Sequence, residues 1–388
     1  MTALYRLAGA SLVVLASCLP ALAADDVSGV LEGIRAKYQL PGISVAMMKD
    51  GEILASGAAG TRVLDMDIPV TVEDRFHIGS DTKAMTAVIA GTLVDEGKLK
   101  WDSTIGEVLG DEIKDMNPKL AAVTLEQLLS HSSGIPSDTD EMIKIYFNAD
   151  AFQDTAAALR LKAIETMKGL EPKVPEGSPF QYANFGYLIA GAMIEKAAGK
   201  PWEQLIHERI FEPLGLKSAG LGAPATDGLY DAAVGTRIND DGSLTAIPWG
   251  VAAGVPPVVA PAGDAHMSVL DFAKWGDWNA TGGKSPTIVK PETLAEILKP
   301  RVTTPPLPDP PPGTPGQGEY AFGWGVVNYD WTGHPVLTHN GSNSMNLAKI
   351  LVDTETGVTI AAVTNLPGKD ADAALNEAVE TLYEQQAK

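Results

Sequence analysis

The sequence predicts an α+β fold in which an antiparallel sheet, built from both ends of the chain, is joined to a mostly helical inserted part. Two observations lead to this prediction. Residues 43–60 and 346–366 each contain two apolar runs around a polar turn, which is the pattern of a β-hairpin. Residues 71–317 instead alternate helical apolar spacing with loops rich in proline and glycine.

The terminal segments also predict the helices that flank the sheet. Residues 26–39 and 370–386 carry apolar side chains at helical spacing. Because a hairpin stands near each end, the simplest topology joins the hairpins in one sheet with these helices on a face. We therefore expect residues 24–70 and 318–388 to form the α/β part of a single domain, 24–388.

The inserted part, 71–317, contains several helix signals. Residues 80–99 form an apolar helix that ends near Gly97, and Asn184 is predicted to cap another helix. Two proline-rich stretches, 254–264 and 303–318, are predicted to be loops because proline cannot join a sheet ladder. A cleft between the two parts is where a pocket is expected.

Composition excludes several classes of partner. The chain has 388 residues, a net charge of −20 and a pI near 4.6, which argues against binding to nucleic acid or to an anionic membrane surface. After the first residues, no apolar run is long and uncharged enough to span a bilayer.

The first residues have the pattern of an export signal. Arg6 precedes the apolar run 7–19, and a small-x-small cleavage site ends at Ala23, so residues 1–23 are predicted to be a signal peptide. Leu15-Ala16-Ser17-Cys18 offers an alternative, a lipoprotein anchored at Cys18. Both predict an exported, periplasmic or secreted protein. Because Cys18 is the only cysteine, the exported chain without it has no disulfide or thiolate chemistry.

The first candidate catalytic motif along the chain is Ser80-x-x-Lys83, at the start of the predicted helix 80–99. Ser80 would gain from the backbone N–H groups of the helix start, and Lys83 lies one turn later on the same face. Lys83 could act as a base at neutral pH only if burial lowered its pKa, and its neighbours are apolar. A helix cap followed by a structural lysine remains the alternative.

Two other short motifs accompany this pair. Tyr182-Ala-Asn184 lies in a loop that enters a helix, whereas a second Tyr-x-Asn, at Tyr146 and Asn148, falls inside a predicted helix and is read as structural. Ser130-His131-Ser132-Ser133 is discounted as a triad because adjacent loop residues rarely aim at one point. The six histidines show no metal-ligand spacing, so no metal site is predicted.

The last motif is His339-Asn340-Gly341-Ser342, which follows a short strand. The glycine would permit close approach of the backbone to a ligand.

In this order, Ser80-x-x-Lys83, Tyr182-x-Asn184 and His339-x-Gly341 resemble the motifs of the serine β-lactamase-like superfamily. The similarity is greatest to the branch of class C β-lactamases, DD-peptidases, D-aminopeptidases and family VIII carboxylesterases. It extends over nearly all of residues 24–388, and it implies the β-lactamase/transpeptidase-like fold.

The resemblance also implies roles for these residues. Ser80 would attack an acyl carbon and form an acyl-enzyme, while Lys83 and Tyr182 would share the base and acid work. Asn184 would hold Lys83 and the substrate, and the backbone N–H groups of Ser80 and Ser342 would form the oxyanion hole. His339, Asn340 and Gly341 would border the bound substrate. No metal or cofactor is required.

One departure from the family affects the expected substrate. Class C β-lactamases usually have Lys-Thr-Gly where this chain has His339-Asn-Gly, and a neutral histidine offers one hydrogen bond but no fixed cation to a substrate carboxylate. The sequence therefore favours a carboxylesterase acting on small esters or amides. A D-stereospecific peptidase, a weak β-lactamase and a non-catalytic sensor of penicillin or peptidoglycan are the alternatives.

Overall fold

The protein is described here by a computed structural model. It describes residues 24–147, 154–308, 310 and 314–386. The predicted signal peptide 1–23, with Cys18, and Asn148 of the second Tyr-x-Asn motif lie outside the described residues.

The strands account for one large sheet and two small ones. In chain order they are β1 (Asp25–Asp26), β2 (Gly42–Lys49), β3 (Glu52–Gly60), β4 (Arg75–His77), β5 (Gly220–Leu221), β6 (Gly235–Ile238), β7 (Leu244–Ile247), β8 (Ala265–Ser268), β9 (Val302–Thr303), β10 (Glu319–Tyr320), β11 (Gly325–Asn328), β12 (Pro335–Ser342), β13 (Leu347–Val352) and β14 (Val358–Thr364). Within the described residues, the large sheet has the order β1-β3-β2-β14-β13-β12-β11-β10-β9, β4-β8-β5 form a second sheet, and β6-β7 form a third.

Most helices fall between β4 and β9. In chain order the α-helices are α1 (Ser28–Tyr38), α2 (Thr82–Asp95), α3 (Ile105–Leu109), α4 (Pro118–Ala121), α5 (Leu125–Leu129), α6 (Asp140–Tyr146), α7 (Ala156–Thr166), α8 (Asn184–Ala198), α9 (Trp202–Ile206), α10 (Glu212–Leu214), α11 (Ala260–Gly263), α12 (Val269–Ala280), α13 (Pro291–Leu298) and α14 (Lys369–Gln386). No helix among the described residues is both long enough and apolar enough to cross a membrane.

The two predicted hairpins form and join the ends of the chain. β2 and β3 turn at Asp50 and Gly51, which both have positive φ, and β13 pairs antiparallel with β14. β14 then pairs antiparallel with β2, with Val358 opposite Lys49. The predicted α+β fold is therefore confirmed. Apart from the two-residue β1, which runs parallel to β3, every pair in this sheet is antiparallel.

The large sheet separates two hydrophobic cores. On one face α1 and α14 pack on the sheet and on each other, as predicted, around residues such as Leu31, Ile360 and Leu375. On the other face α12 packs on β2 and β14, and its core continues into the helical part. The division of the chain at 70 and 318 stays a prediction, because α12 and β9 belong to the inserted part in sequence but pack on or extend the sheet.

This packing places Ser80 where the two parts meet. A short 3₁₀ turn, Gly79–Asp81, connects β4 to α2 and lies against the end of β12. From Thr82 to Leu93, every residue of α2 is buried. A helix that is apolar on nearly all sides is a core helix, so α2 anchors the turn that carries the half-buried Ser80 to the core.

Candidate active site

Lys83 is the buried centre of the site. Its side chain is completely inaccessible to solvent. Its Nζ lies 3.0 Å from Ser80 Oγ, 2.8 Å from Asn184 Oδ1 and 2.7 Å from the carbonyl oxygen of Ala262. The structure thus brings Ser80, Lys83 and Asn184 together as the sequence predicted.

These three contacts suit an ammonium group, which would donate to all three oxygens, and they also suit an uncharged amine. A neutral amine has two N–H donors and one lone pair. The oxygens of Asn184 and Ala262 can only accept, so they take both donors, and the lone pair is left to accept the hydroxyl hydrogen of Ser80. Burial lowers the pKa of Lys83 to about 7, while the negative charge of Asp138 acts to raise it, as would a charge on Asp81.

Ala262 belongs to a stretch whose structure differs from its prediction. Residues 254–264 were expected to be a loop, but they contain the short helix α11. Pro261 lies in the first turn of that helix, where the missing N–H of proline costs no hydrogen bond. The carbonyl oxygen of Ala262 thereby reaches Lys83, a contact that no motif indicated.

Tyr182 lies beside this pair. Lys83 Nζ is 4.8 Å from the centre of the Tyr182 ring. Burial raises the pKa of Tyr182 above its ordinary value, and a hydrogen bond with Ser80 opposes that rise. Tyr182 is therefore a neutral phenol at pH 7 in contact with both Ser80 and Lys83.

Asn184 does not cap its helix, so that prediction was wrong. It is the first residue of α8, the N-cap position is Ala183, and no side chain caps the helix. The Asn184 amide instead lies between the Lys83 amine and the Asp138 carboxylate. Its Oδ1 accepts from Lys83, and its Nδ2 donates to Asp138 Oδ2 at 2.6 Å. Because Asp138 can only accept, it fixes which end of the amide faces Lys83.

His131 supports the tyrosine-bearing turn. Its Nδ1 accepts the Ala183 N–H at 3.2 Å, its carbonyl oxygen accepts the Gln181 N–H at 2.7 Å, and its ring centre lies 4.2 Å from that of Tyr182. Burial lowers the pKa of His131 well below its ordinary value, so the ring is neutral. The Ser-His-Ser-Ser run is no triad, but its histidine belongs to the site.

Close packing of two glycines joins the Ser80 turn to β12. A Cβ added at Gly341 would lie 1.8 Å from the carbonyl oxygen of Ile78, and one added at Gly79 would lie 2.3 Å from the backbone nitrogen of Ser342. No other residue type fits in either position. Gly341 was expected to permit close approach of the backbone to a ligand. In the structure it permits close approach to the protein's own backbone at Ile78.

The side chains of the third motif, His339-Asn340-Gly341-Ser342, divide between the two faces of β12. His339 faces the helical part, where Nε2 lies 3.0 Å from Tyr320 Oη and Nδ1 lies 3.6 Å from Asp81 Oδ1. Burial and the nearby charge of Lys83 lower the pKa of His339 to about 3, so it is neutral. Both ring nitrogens face protein groups, which leaves no free donor for a substrate.

Asn340 and Ser342 differ from their predictions in part. The Asn340 side chain donates to Asp372 of α14 at 2.9 Å and accepts from Lys349 at 3.0 Å, so the structure does not bring that side chain to Ser80. The Ser342 hydroxyl donates to the Asn346 carbonyl oxygen at 2.6 Å. Only the backbone of Ser342 therefore remains available to a substrate beside Ser80.

No cluster of three or more histidine, cysteine, aspartate or glutamate side chains with suitable geometry exists within residues 24–147, 154–308, 310 and 314–386.

A family model described as Beta-lactamase matches residues 27–384. The chain belongs to the β-lactamase family. Penicillin-binding protein 4 of Amycolatopsis lactamdurans is 27% identical over 351 residues, which cover 86% of this chain and 83% of that protein.

A second relative is longer than this chain. The unguisins hydrolase of Aspergillus campestris is 26% identical over 326 residues, which cover 82% of this chain. The aligned region spans 57% of the length of that fungal protein.

Solved structures of the family have the same fold. The octameric penicillin-binding protein homologue from Pyrococcus abyssi aligns with a TM-score of 0.73 and 26% identity over 91% of this β-lactamase-family chain and 77% of its own. The D-amino acid amidase from Ochrobactrum anthropi SV3 aligns with a TM-score of 0.71 and 23% identity over 92% and 99%. The chain therefore has the β-lactamase/transpeptidase-like fold, in a family of serine hydrolases.

Proposed function

We propose that this protein is a serine hydrolase that cleaves small esters or amides through an acyl-enzyme on Ser80. The observation that carries the proposal is the pairing of Ser80 Oγ with a completely buried Lys83 amine, 3.0 Å away, whose other two contacts are obligate acceptors. Because its pKa is lowered to about 7, this lysine is unprotonated in a large share of molecules at neutral pH and can then accept the hydroxyl proton. A protein that binds its ligand without forming a covalent bond has no need of such a base.

The reaction has two steps. Ser80 Oγ bonds to the acyl carbon as its proton passes to Lys83 Nζ, and the developing oxyanion is stabilised by the backbone N–H groups of Ser80 and Ser342. The bond to the leaving group then breaks, and that group receives a proton from Lys83 or from the Tyr182 hydroxyl. A water molecule then takes the place of the leaving group and attacks the acyl carbon. The bond to Ser80 Oγ breaks, Ser80 regains its proton, and the acid is released. Lys83 and Tyr182 titrate as a coupled pair in this scheme.

Carboxylesterase activity is the first candidate because the third motif has no cation for a substrate carboxylate. His339 is neutral, and both of its ring nitrogens face protein groups. Some substrates carry a carboxylate beside the scissile bond, such as penicillins or peptides cleaved next to their C-terminus. These would find no charged partner at the position of His339. The proposal therefore favours neutral esters over β-lactams.

A D-stereospecific amidase is the second candidate. It is favoured by the similarity to the D-amino acid amidase, which covers nearly the whole of both chains at 23% identity. Such substrates also lack a carboxylate beside the bond that is cleaved. The predicted leader, residues 1–23, makes either activity that of an exported enzyme, which fractionation of cells would test.

A substrate panel tests the proposal. Wild type, Ser80→Ala and Ser243→Ala are assayed with p-nitrophenyl acyl esters, D- and L-aminoacyl amides and nitrocefin. Ser243 lies in the exposed turn between β6 and β7, so its substitution is the matched control. We expect ester turnover in wild type and Ser243→Ala, a loss on the order of 10³-fold or more in Ser80→Ala, and much slower turnover of nitrocefin. Full turnover by Ser80→Ala would overturn the assignment, and nitrocefin as the best substrate would overturn the substrate class.

A further inference from the structure

The residue after Ser80 is a buried carboxyl group without a hydrogen bond. Asp81 is 1% exposed, and neither of its side-chain oxygens has a hydrogen-bond partner among the described residues. It lies under β12, because a Cβ added at Gly341 would be 2.6 Å from Asp81 Oδ2. Buried polar groups are nearly always paired, so an unpaired carboxyl beside the candidate active site requires an explanation.

A chain of hydroxyl groups fixes the hydrogen on His339. The Tyr187 hydroxyl donates to the carbonyl oxygen of Leu129 at 2.6 Å, so the Tyr187 oxygen is left to accept the hydroxyl of Tyr320, with which it is hydrogen-bonded. Tyr320 has then used its only hydrogen. The 3.0 Å contact between Tyr320 Oη and His339 Nε2 must therefore be made by an N–H at Nε2.

This tautomer leaves a lone pair on His339 Nδ1, which lies 3.6 Å from Asp81 Oδ1. Nδ1 has no well-formed hydrogen bond of its own. An ionised carboxylate would set two acceptors against each other in a site closed to water, whereas a carboxylic acid would supply the missing donor. Burial raises the pKa of Asp81 well above its ordinary value, which agrees with the acid form.

The charged groups near Asp81 do not supply another partner. Lys349, on β13, directs its ammonium group to Asn340 Oδ1 at 3.0 Å, and Asn340 donates in turn to Asp372. Lys83 has its three contacts elsewhere. Neither lysine lies within ion-pair distance of Asp81 in the described part of the chain, although both charges act to lower its pKa.

We propose that Asp81 is a protonated carboxylic acid that donates a hydrogen bond to His339 Nδ1, and that it is a positioning residue for β12 beside Ser80. One proton lies between Asp81 and His339 Nδ1, a second is on His339 Nε2, and the pair carries no charge. It fixes the His339 ring and, through it, the strand that ends at Ser342. It also keeps a negative charge away from Lys83, whose pKa an ionised Asp81 would raise. The role in hydrolysis rests on the proposed function, but the protonation state does not.

The protonation state that the proposal requires of the His339 ring is tested by ¹⁵N NMR of histidine-labelled protein. The His339 signals are assigned by their absence in His339→Gln. We expect a hydrogen on Nε2, an unprotonated Nδ1 and no change between pH 8 and pH 5. A hydrogen on Nδ1, or an imidazolium that forms in this range, would overturn the proposal. The readout needs no substrate, so it stands even if ester hydrolysis is not found.

The positioning role is tested by two variants of Asp81. Asp81→Ala removes the donor and should lower kcat/KM for an ester about tenfold. Asp81→Asn places an amide N–H where the acid O–H stood, so it should recover most of that loss. The midpoint of the acid limb, at which kcat/KM falls as the pH is lowered, should stay at its wild-type value. A limb that moves about one pH unit lower in Asp81→Asn would show that Asp81 is ionised in wild type, and a variant as poor as Asp81→Ala would refute the donor role.

Discussion

Asp353 and Asp81 are both buried and each lies near a histidine in or next to β12, but they differ in the hydrogen bonds that their carboxyl groups accept. Asp353, at the turn between β13 and β14, accepts hydrogen bonds from His334 at 3.0 Å, from Tyr383 at 2.6 Å and from two backbone N–H groups. Asp81, which faces His339, accepts none among the described residues. Both carboxyl groups are almost fully inaccessible to solvent.

Their pKa values move in opposite directions for this reason. Burial raises the pKa of Asp353, but hydrogen bonds from Tyr383, Thr356 and His334 outweigh it and lower the pKa to about 2. Asp81 has only the burial and two distant lysines. The paired acid ties α14 to the sheet and contributes to stability, whereas the unpaired acid lies beside Ser80. Groups whose pKa values are strongly shifted concentrate at functional sites.

The comparison predicts that substitutions near Ser80 cost activity and little stability. Tyr182→Phe removes the hydroxyl that contacts Ser80, and we expect kcat/KM for an ester to fall about 10²-fold or more with the melting temperature nearly unchanged. Steady-state kinetics and thermal unfolding measure both.

Tyr146→Phe is the matched control. The Tyr146 hydroxyl donates to Asp138 at 3.1 Å and does not reach Ser80, so its loss should cost only a few-fold in rate. Equal damage from the two variants would show that the wrong Tyr-x-Asn motif was chosen.

On the other side of the comparison, Asp353→Ala should cost stability and spare the chemistry. It removes a charged acceptor of four hydrogen bonds, and we expect a loss of about 3 kcal/mol in the free energy of unfolding at pH 7. The kcat of the folded variant should equal that of wild type. A stable variant with impaired kcat would reverse the roles assigned to the two acids.

The same acid predicts a pH window. Since the pKa of Asp353 is lowered in the folded state, its contribution is complete above its ordinary value of 3.8 and is lost as the pH falls towards about 2. The stability difference between wild type and Asp353→Ala should therefore shrink between pH 4 and pH 2 in urea unfolding. A constant difference across this range would contradict the lowered pKa.

The smallest expected effect concerns Asp138. Its carboxylate raises the pKa of Lys83, so Asp138→Asn should move the acid limb of kcat/KM to lower pH by about half a unit. The asparagine can still accept from Asn184 and hold the amide in place. Asp140→Asn, an exposed neighbour on α6, is the control and should leave the limb unmoved. A limb that moves to higher pH in Asp138→Asn would refute the electrostatic argument.

Local patterns were sufficient to predict much of this molecule. Hairpin and helix periodicity predicted the sheet from both ends and the flanking helices, because those signals are carried by neighbouring residues. The pairing of Ser80 with Lys83 follows from helical spacing alone. Their meeting with Tyr182, about a hundred residues on, was inferred from the family resemblance and not from any local signal.

The rest depends on contacts between distant segments. His131, Asp138 and Ala262 reach the site through turns that lie far from Ser80 in sequence, and no spacing rule connects them. Asn184 was misassigned as a cap because a helix-starting asparagine usually bonds its own backbone, whereas here Lys83 and Asp138 take both ends of the amide. One local signal was available. Asp81, between Ser80 and Lys83, is an acidic residue at the start of an otherwise apolar helix, which indicates a buried acid beside the site.

The account depends most on a Ser80 hydroxyl that is made reactive by an uncharged Lys83. The most direct measurement is the rate at which a fluorophosphonate labels the protein as a function of pH, with the modified residue located by peptide mass spectrometry. We expect a single adduct on Ser80 whose rate of formation rises through a midpoint near pH 7, the pKa of Lys83. Labelling at another residue, or a rate on Ser80 that is independent of pH between 5 and 9, would contradict the account.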